Sequence, residues 1–128
     1  MEENKDVMVV KIGLFSGQPN PEMKLMDEMA SQFADLVKLT VGKEPIHPPP
    51  PPKLGEFYGF LVQVPDHKAK ELGLPVQATV FSGVLTDMTQ KKQAYWRDKA
   101  GIEQFLTRLA YEQGFGDLLR KVHVAEPK

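Results

Sequence analysis

A short polar loop contains the side chains in this sequence that are best suited to chemistry, namely Ser16, Gln18 and Asn20. Asn20 stands directly before Pro21 and an acidic residue, which predicts a helix start, because an Asn oxygen can accept hydrogen bonds from the first amides of a helix. Together with such amides, Ser16, Gly17, Gln18 and Asn20 would suit an anion such as a carboxylate or a phosphate. The plainer interpretation is that the loop only turns the chain from a strand into a helix. No glycine-rich phosphate cradle accompanies it, so nucleotide binding is not expected.

The segment Tyr95-Trp96-Arg97 is a second candidate for binding. Tyr, Trp and Arg are the residue types that dominate the energetics of protein interfaces, and Trp96 is the only tryptophan. These types predict a contact surface for a protein partner. The alternative is that Trp96 covers the start of a helix while Tyr95 and Arg97 face water.

The other residue types used in catalysis and metal binding are scattered. His47, His67 and His123 fall on separate segments without ligand spacing, and the sequence contains no cysteine, so neither a metal site nor thiolate chemistry is predicted. Ser16 and Ser82 lack the elbow motif of a nucleophilic serine. We therefore expect no catalytic residue, no cofactor and no enzymatic activity.

The composition indicates a single soluble domain. The chain has 128 residues, of which 41% are hydrophobic and 26% are charged, as in a globular domain with its own core. Its 16 basic and 17 acidic residues are intermixed and give a net charge of −1, so nucleic acid is not an expected partner. No run approaches the ~20 apolar residues that span a bilayer, and the N-terminus lacks the layout of a signal peptide. These features predict a cytoplasmic protein without membrane contact.

The first half of the chain predicts one strand and one long helix. Residues 7–15 alternate apolar side chains on one face, which is typical of a strand. Residues 21–41 repeat apolar side chains at three- and four-residue spacing, which predicts an amphipathic helix that ends at Gly42. A proline-rich strap follows at residues 43–55, and its five consecutive prolines favour polyproline II. The strap is either a rigid spacer or a ligand for an aromatic groove that reads PxxP spacing.

The second half of the chain predicts further strands and a second helix, and leaves one segment open. The tail at residues 117–124 suits either a helical turn or an edge strand. The predicted elements are strands at 56–64, 76–85 and 93–97, a helical turn at 66–72 that ends at Gly73, and a helix capped by Asp98 that continues to Gln113.

This order of elements indicates the α+β class, in one domain that covers residues 1–128. We expect a two-layer sandwich in which two main helices lie on one face of an antiparallel or mixed sheet of three to five strands. The order is ferredoxin-like if the tail forms a strand. The long connection between the second and third strands, with the extra hairpin, favours a meander variant instead.

Four segments of the chain resemble a loose family pattern. Phe15-Ser16-Gly17-Gln18-Pro19-Asn20-Pro21 is similar to the Ser-Gly-Arg-Pro-Asn-Pro signature of small, functionally uncharacterised bacterial proteins, with Gln18 at the arginine position. The same pattern includes Tyr58-Gly59-Phe60, Phe81-Ser82-Gly83-Val84-Leu85 and Tyr95-Trp96-Arg97-Asp98. The resemblance implies a bacterial protein with one intact domain, and it implies no particular activity.

The sequence thus predicts a non-enzymatic binding or protein-interaction module. Its expected contact residues are Ser16, Gly17, Gln18 and Asn20 in the loop, and Tyr95, Trp96 and Arg97. The alternative is a small-molecule or anion-binding protein, or a small enzyme, with its site near the loop at residues 16–21. A third hypothesis is self-association through an open edge of the sheet.

Overall fold

A computed structural model describes residues 7–14, 21–25, 27–41, 45–47, 57–89, 93–121 and 124, and the structural statements below concern these residues. In chain order the elements are β1 (Met8–Leu14), β2 (Glu22–Leu25), α1 (Asp27–Val41), β3 (Phe57–Gln63), α2 (Asp66–Leu72), β4 (Gln77–Phe81), β5 (Val84–Asp87), β6 (Ala94–Arg97), α3 (Ile102–Glu112) and α4 (Gly116–Lys121).

The six described strands form one open sheet in the order β2-β1-β3-β4-β5-β6. Every pair of neighbours among them is antiparallel, and β3 to β6 follow one another across the sheet as a meander. The α+β class and the antiparallel sheet are confirmed. The sheet has more strands than the three to five expected, and its order matches the ferredoxin-like arrangement only roughly, because strands that are consecutive in the chain mostly pair directly.

One face of the sheet carries the core. Alternate residues of β1 and β3 are fully buried, as the two-residue period of a strand requires, and they join a single apolar cluster with residues of α1 and α3. The two helices also contact each other. The largest fully buried side chains are Met8, Val10, Ile12, Met23, Leu25, Phe33, Val37, Phe60, Leu85, Ile102, Leu106 and Leu119.

The segment at residues 22–25 is a strand, so the prediction of one continuous helix over 21–41 is wrong. Burial alternates along β2, and its buried Met23 and Leu25 stand opposite Val10 and Met8 of β1. Pro21 is not the first residue of a helix, because its carbonyl accepts a hydrogen bond from the Ile12 amide at 2.9 Å in the sheet ladder. The pairing with β1 outweighs the helical spacing of this short stretch.

Helix α1 begins at Asp27 and ends at Val41, as expected at its C-terminal end. Its 15 residues span about 22 Å at the rise of an α-helix. Five strand spacings cover a similar distance, about 24 Å. The helix can therefore cross the whole sheet, from β2, which precedes it, to β6, which it contacts.

The predicted strand at 76–85 is interrupted, and this expectation is also wrong. The chain reverses at Ser82 and Gly83, both of which have positive φ, 52° and 76°, so that Phe81 and Val84 face each other across a two-residue hairpin. A two-residue turn with two positive φ angles matches the right-handed twist of the strands it joins. The hairpin divides one predicted strand into β4 and β5, and together with β2 it raises the four predicted strands to six.

The other described elements follow the prediction, except that α3 begins at Ile102, three residues later than a cap at Asp98 predicts. β3, α2 and β6 fall within a residue or two of their expected bounds, and Gly73 ends α2 in the left-handed conformation. Of the two alternatives for the tail, the helical one holds for Gly116–Lys121, and the Val124 amide then donates to the Leu119 carbonyl at 2.9 Å.

Only residues 45–47 of the proline-rich strap lie within the described part of the chain. There the Ile46 amide donates a hydrogen bond to the Tyr95 carbonyl at 2.7 Å, which places this part of the strap beside the outer edge of β6. The polyproline conformation and the recognition of the prolines stay predictions. Among the helices described, none is both long enough and apolar enough to cross a membrane.

We predict that Gly59→Ala destabilises the protein by about 3 kcal/mol or more. Gly59 has a φ of 102°, and a Cβ there would lie 2.4 Å from the Val80 carbonyl oxygen, so the substitution adds a clash with backbone to an unfavourable conformation. Urea unfolding with a constant m-value measures the change in the free energy of unfolding.

Gly73→Ala is the matched control for that prediction. Gly73 also has a positive φ, 70°, but nothing lies within 4 Å of a Cβ built on it. We expect a loss of only roughly 1–2 kcal/mol, the cost of the left-handed conformation alone. Equal losses in the two variants would contradict the close approach of β3 and β4 at Gly59.

Candidate functional site

The Tyr95-Trp96-Arg97 segment forms most of β6, the last described strand of the sheet. Trp96 stands opposite Leu85, which is fully buried, so Trp96 lies on the core side of the sheet and is partly buried. Tyr95 and Arg97 stand opposite Thr86 and Val84 and share the other face. The structure therefore divides the three predicted contact residues between two faces of one strand.

Tyr95 and Arg97 lie where a partner can reach them. Tyr95 is partly buried and Arg97 is exposed. The Tyr95 hydroxyl donates a hydrogen bond to the side-chain oxygen of Gln93 at 2.8 Å. The backbone carbonyl of Tyr95 accepts a hydrogen bond from the Ile46 amide. The orientation of the tyrosine is thus held from both ends of the residue, which lowers the conformational entropy that binding would remove.

Glu103, in the first turn of α3, holds the β4–β5 hairpin. Its carboxylate accepts hydrogen bonds from the amides of Ser82, at 3.2 Å, and Gly83, at 2.8 Å. The two-residue turn leaves these amides pointing outward, and the carboxylate satisfies both of them. No local pattern predicts this role of Glu103, because it depends on contact between segments 20 residues apart.

Asp98 fixes the start of α3. Its carboxylate accepts from the amides of Gly101 at 3.0 Å and of Ile102 and Glu103 at 2.7 Å, so three of the amides at this helix start are bound by one side chain. Its own amide donates to the Gly83 carbonyl at 2.8 Å. Asp98 thus binds amides at the start of α3 as expected, but the helix begins at Ile102 with Gly101 at its N-cap, three residues later than a cap at Asp98 predicts. The same residue also ties β6 to the hairpin.

These contacts gather at one end of the sheet, which we call the α3 end. β1 finishes there at Leu14, β2 follows from Pro21, the hairpin turns at Ser82 and Gly83, and β6 finishes at Arg97. The start of β3 at Phe57 lies at the α3 end as well. Ser16, Gly17, Gln18 and Asn20 lie outside the described residues, and their predicted contact role stays a prediction.

Arg97 and the described residues that flank the loop lie far apart across this end. Leu14 and Pro21 flank the loop at the β1–β2 side, whereas Arg97 lies at the β6 side, four strand spacings or about 19 Å from β1. Arg97 and Lys99 are exposed there. The nearby carboxylates of Asp98 and Glu103 accept five hydrogen bonds from backbone amides between them, so both acids are engaged in shaping the surface.

The described residues present no assembled metal site. No group of three or more His, Asp or Glu side chains in this part of the chain is arranged to hold a metal ion. No buried side-chain nitrogen or oxygen among the described residues lacks a hydrogen-bond partner.

Comparison of the chain with models of protein families, with curated proteins and with solved structures gives no match.

We predict that Asp98→Ala lowers the free energy of unfolding by about 1–2 kcal/mol, because three amides at the start of α3 lose their acceptor. Chemical denaturation measures the loss, and amide exchange at Ile102 and Glu103 should accelerate. Asp35→Ala is the control, since Asp35 is exposed in the interior of α1, where alanine favours the helix. A loss at Asp98 no larger than that at Asp35 would contradict the capping role.

Proposed function

We propose that this protein is a protein-interaction module without catalytic activity, and that it binds an acidic partner surface with the α3 end of its sheet. Tyr95 and Arg97 would contact the partner at the β6 side, with Lys99 adding positive charge. The loop at residues 16–21 would contact it at the β1–β2 side. Trp96 is not part of the proposed surface, because it lies on the core side.

The distance from Arg97 to Leu14 and Pro21, the described residues on either side of the loop, supports this proposal. A standard interface covers about 800 Å² on each partner, a patch roughly 30 Å across, so one protein can contact both regions at a separation of about 19 Å. A small-molecule pocket of about 300–1,000 Å³ is only roughly 7–10 Å wide and cannot include both. The arrangement therefore favours a macromolecular partner over a small ligand.

The charges of the described residues support an acidic partner. Arg97 and Lys99 are exposed, whereas the two acids closest to them in the chain, Asp98 and Glu103, are bound to backbone amides. An acidic partner would meet two accessible cations without displacing either carboxylate. Exposed charges of this kind mainly raise the rate of association and select the partner.

The contacts of Asp98 and Glu103 also support binding, because they fix the hairpin, the end of β6 and the start of α3 relative to one another. A surface that is already ordered loses less conformational entropy on binding than a mobile one. Both carboxylates are bound to backbone amides, so they serve to hold the surface together, which fits a binding role.

The first test locates the partner by photocrosslinking. A benzophenone amino acid at position 99 should yield a specific adduct in the cells that make the protein, because Lys99 is exposed beside Arg97 at the α3 end. The matched position is 70, since Lys70 is exposed on α2 at the opposite end of the sheet. Equal adducts from positions 99 and 70 would contradict the proposed surface.

The second test measures affinity for the crosslinked partner. We predict that Arg97→Ala weakens binding at least about tenfold, as expected when an arginine that contacts an acidic partner directly is removed, and that Lys70→Ala leaves it unchanged. Raising the salt concentration should weaken binding of the parent protein by screening the exposed cations. If Arg97→Ala binds normally, or if native mass spectrometry instead finds a bound metabolite and no protein, the interaction-module proposal is wrong.

A further inference from the structure

The outer edge of β2 presents backbone groups for pairing. The Ile12 amide donates to the Pro21 carbonyl, and Val10 and Met8 stand opposite Met23 and Leu25, so the odd-numbered residues of β2 point their backbone groups towards β1. Because these directions alternate along an antiparallel strand, the amides and carbonyls of Glu22 and Lys24 point away from the sheet. β2 is the terminal strand of the described sheet, and Glu22 and Lys24 are both exposed.

The charges of β2 select one way for two such edges to meet. In β2 the outward-pointing amides and carbonyls belong to Glu22 and Lys24. When two copies of β2 pair in antiparallel orientation, one of these residues in the first copy must therefore stand opposite one of them in the second. A register with Glu22 opposite Glu22, or with Lys24 opposite Lys24, brings like charges together and is destabilised. In the remaining register, Glu22 of each copy stands opposite Lys24 of the other, which gives two attractive pairs. Met23 then stands opposite Met23 of the second copy.

We infer that two copies of this chain form a dimer through their β2 edges, in the register that pairs Glu22 with Lys24. Each Glu22–Lys24 pair would exchange two backbone hydrogen bonds, four in all, across a twofold axis near Met23. The residues that face each other lie on the same side of the sheet, so the two cores would lie on one side of a continuous sheet. This inference is independent of the proposed partner surface.

The neighbouring charge on β1 strengthens this register. The Lys11 ammonium lies 3.9 Å from the Glu22 carboxylate, directly across from it on the outer face. In the dimer Glu22 would stand between Lys11 of its own chain and Lys24 of the second copy, in a row of alternating charge. A row of this kind is attractive only in the selected register.

The opposite edge of the sheet explains why the assembly would stop at two copies. Ile46 occupies the Tyr95 carbonyl at the outer edge of β6, whereas in the described residues nothing pairs with the outer edge of β2. An interface that uses the same edge on both chains is closed by its twofold symmetry and does not extend into a fibre. The contact is short, below the ~1,200 Å² of stable interfaces, so we expect a weak dimer that forms at roughly 0.1–1 mM protein.

The main test exchanges the charges on β2. In sedimentation or light scattering over a concentration series, the parent chain should approach twice the monomer mass. Lys24→Glu alone and Glu22→Lys alone should remain monomeric, since each brings like charges together across the axis. An equimolar mixture of the two variants should form a heterodimer, because every pair across the axis is then attractive.

Lys38→Glu is the control for the charge change, since Lys38 is exposed on α1 far along the helix from β2, and it should dimerise like the parent chain. Lys24→Pro tests the backbone part of the contact: it removes an outward amide that β1 does not use, so the monomer should fold and the dimer should be lost. Circular dichroism confirms folding in each variant. A monomeric parent chain at 1 mM, or dimers that persist in both single charge variants, would overturn the inference.

Discussion

The register of β1 with its two neighbours is the constraint on which the rest of the fold depends. Val10 stands opposite Met23 on one side and Val62 on the other, so a row of buried side chains runs across three strands. Because side chains alternate with a period of two, a slip of one residue would turn Lys11 into the core and Val10 out of it. The cost of burying that charge fixes the register of β1 with both β2 and β3.

The α3 end shows how the same register creates a surface. Pairing of β5 with β6 puts Trp96 on the core side and Tyr95 and Arg97 on the other, and Asp98 then follows at the position where its amide reaches Gly83. The Asp98 carboxylate binds amides at the start of α3, and the carboxylate of Glu103 in that helix binds the hairpin amides. Strand register, hairpin and helix start are thus linked in one circuit of hydrogen bonds, which holds Arg97 in place without using its side chain.

Sequence reasoning succeeded where the signal was local and failed where distant contacts decide. β1, β3, the glycine that ends α2 and the contacts of Asp98 at the start of α3 all depend on residues within a few positions of one another. β2 was missed because the pattern of Glu22–Leu25 fits a helix as well as a strand, and only its pairing with Met8 and Val10 decides. The hairpin has a local signal, Ser82-Gly83 between two apolar runs, but the apolar alternation over residues 76–85 also fits one uninterrupted strand. Tyr95 and Arg97 were predicted as contact residues, but their separation from Trp96 and the contacts of Glu103 required the register.

The two edges of the described sheet differ in how much of their backbone is hydrogen-bonded by other parts of the chain. This difference relates the dimer to the partner surface. At β6 the chain itself supplies a hydrogen bond from Ile46, so this side presents the side chains of Tyr95 and Arg97 and little open backbone. At β2 the backbone groups of Glu22 and Lys24 point outward, and the charges of these residues permit only one pairing. A twofold axis perpendicular to the sheet at Met23 turns the two α3 ends in opposite directions, because β2 meets its copy in antiparallel orientation. Pairing at β2 would therefore leave the β6 side of each α3 end open, so that a dimer could bind one acidic partner at each extremity.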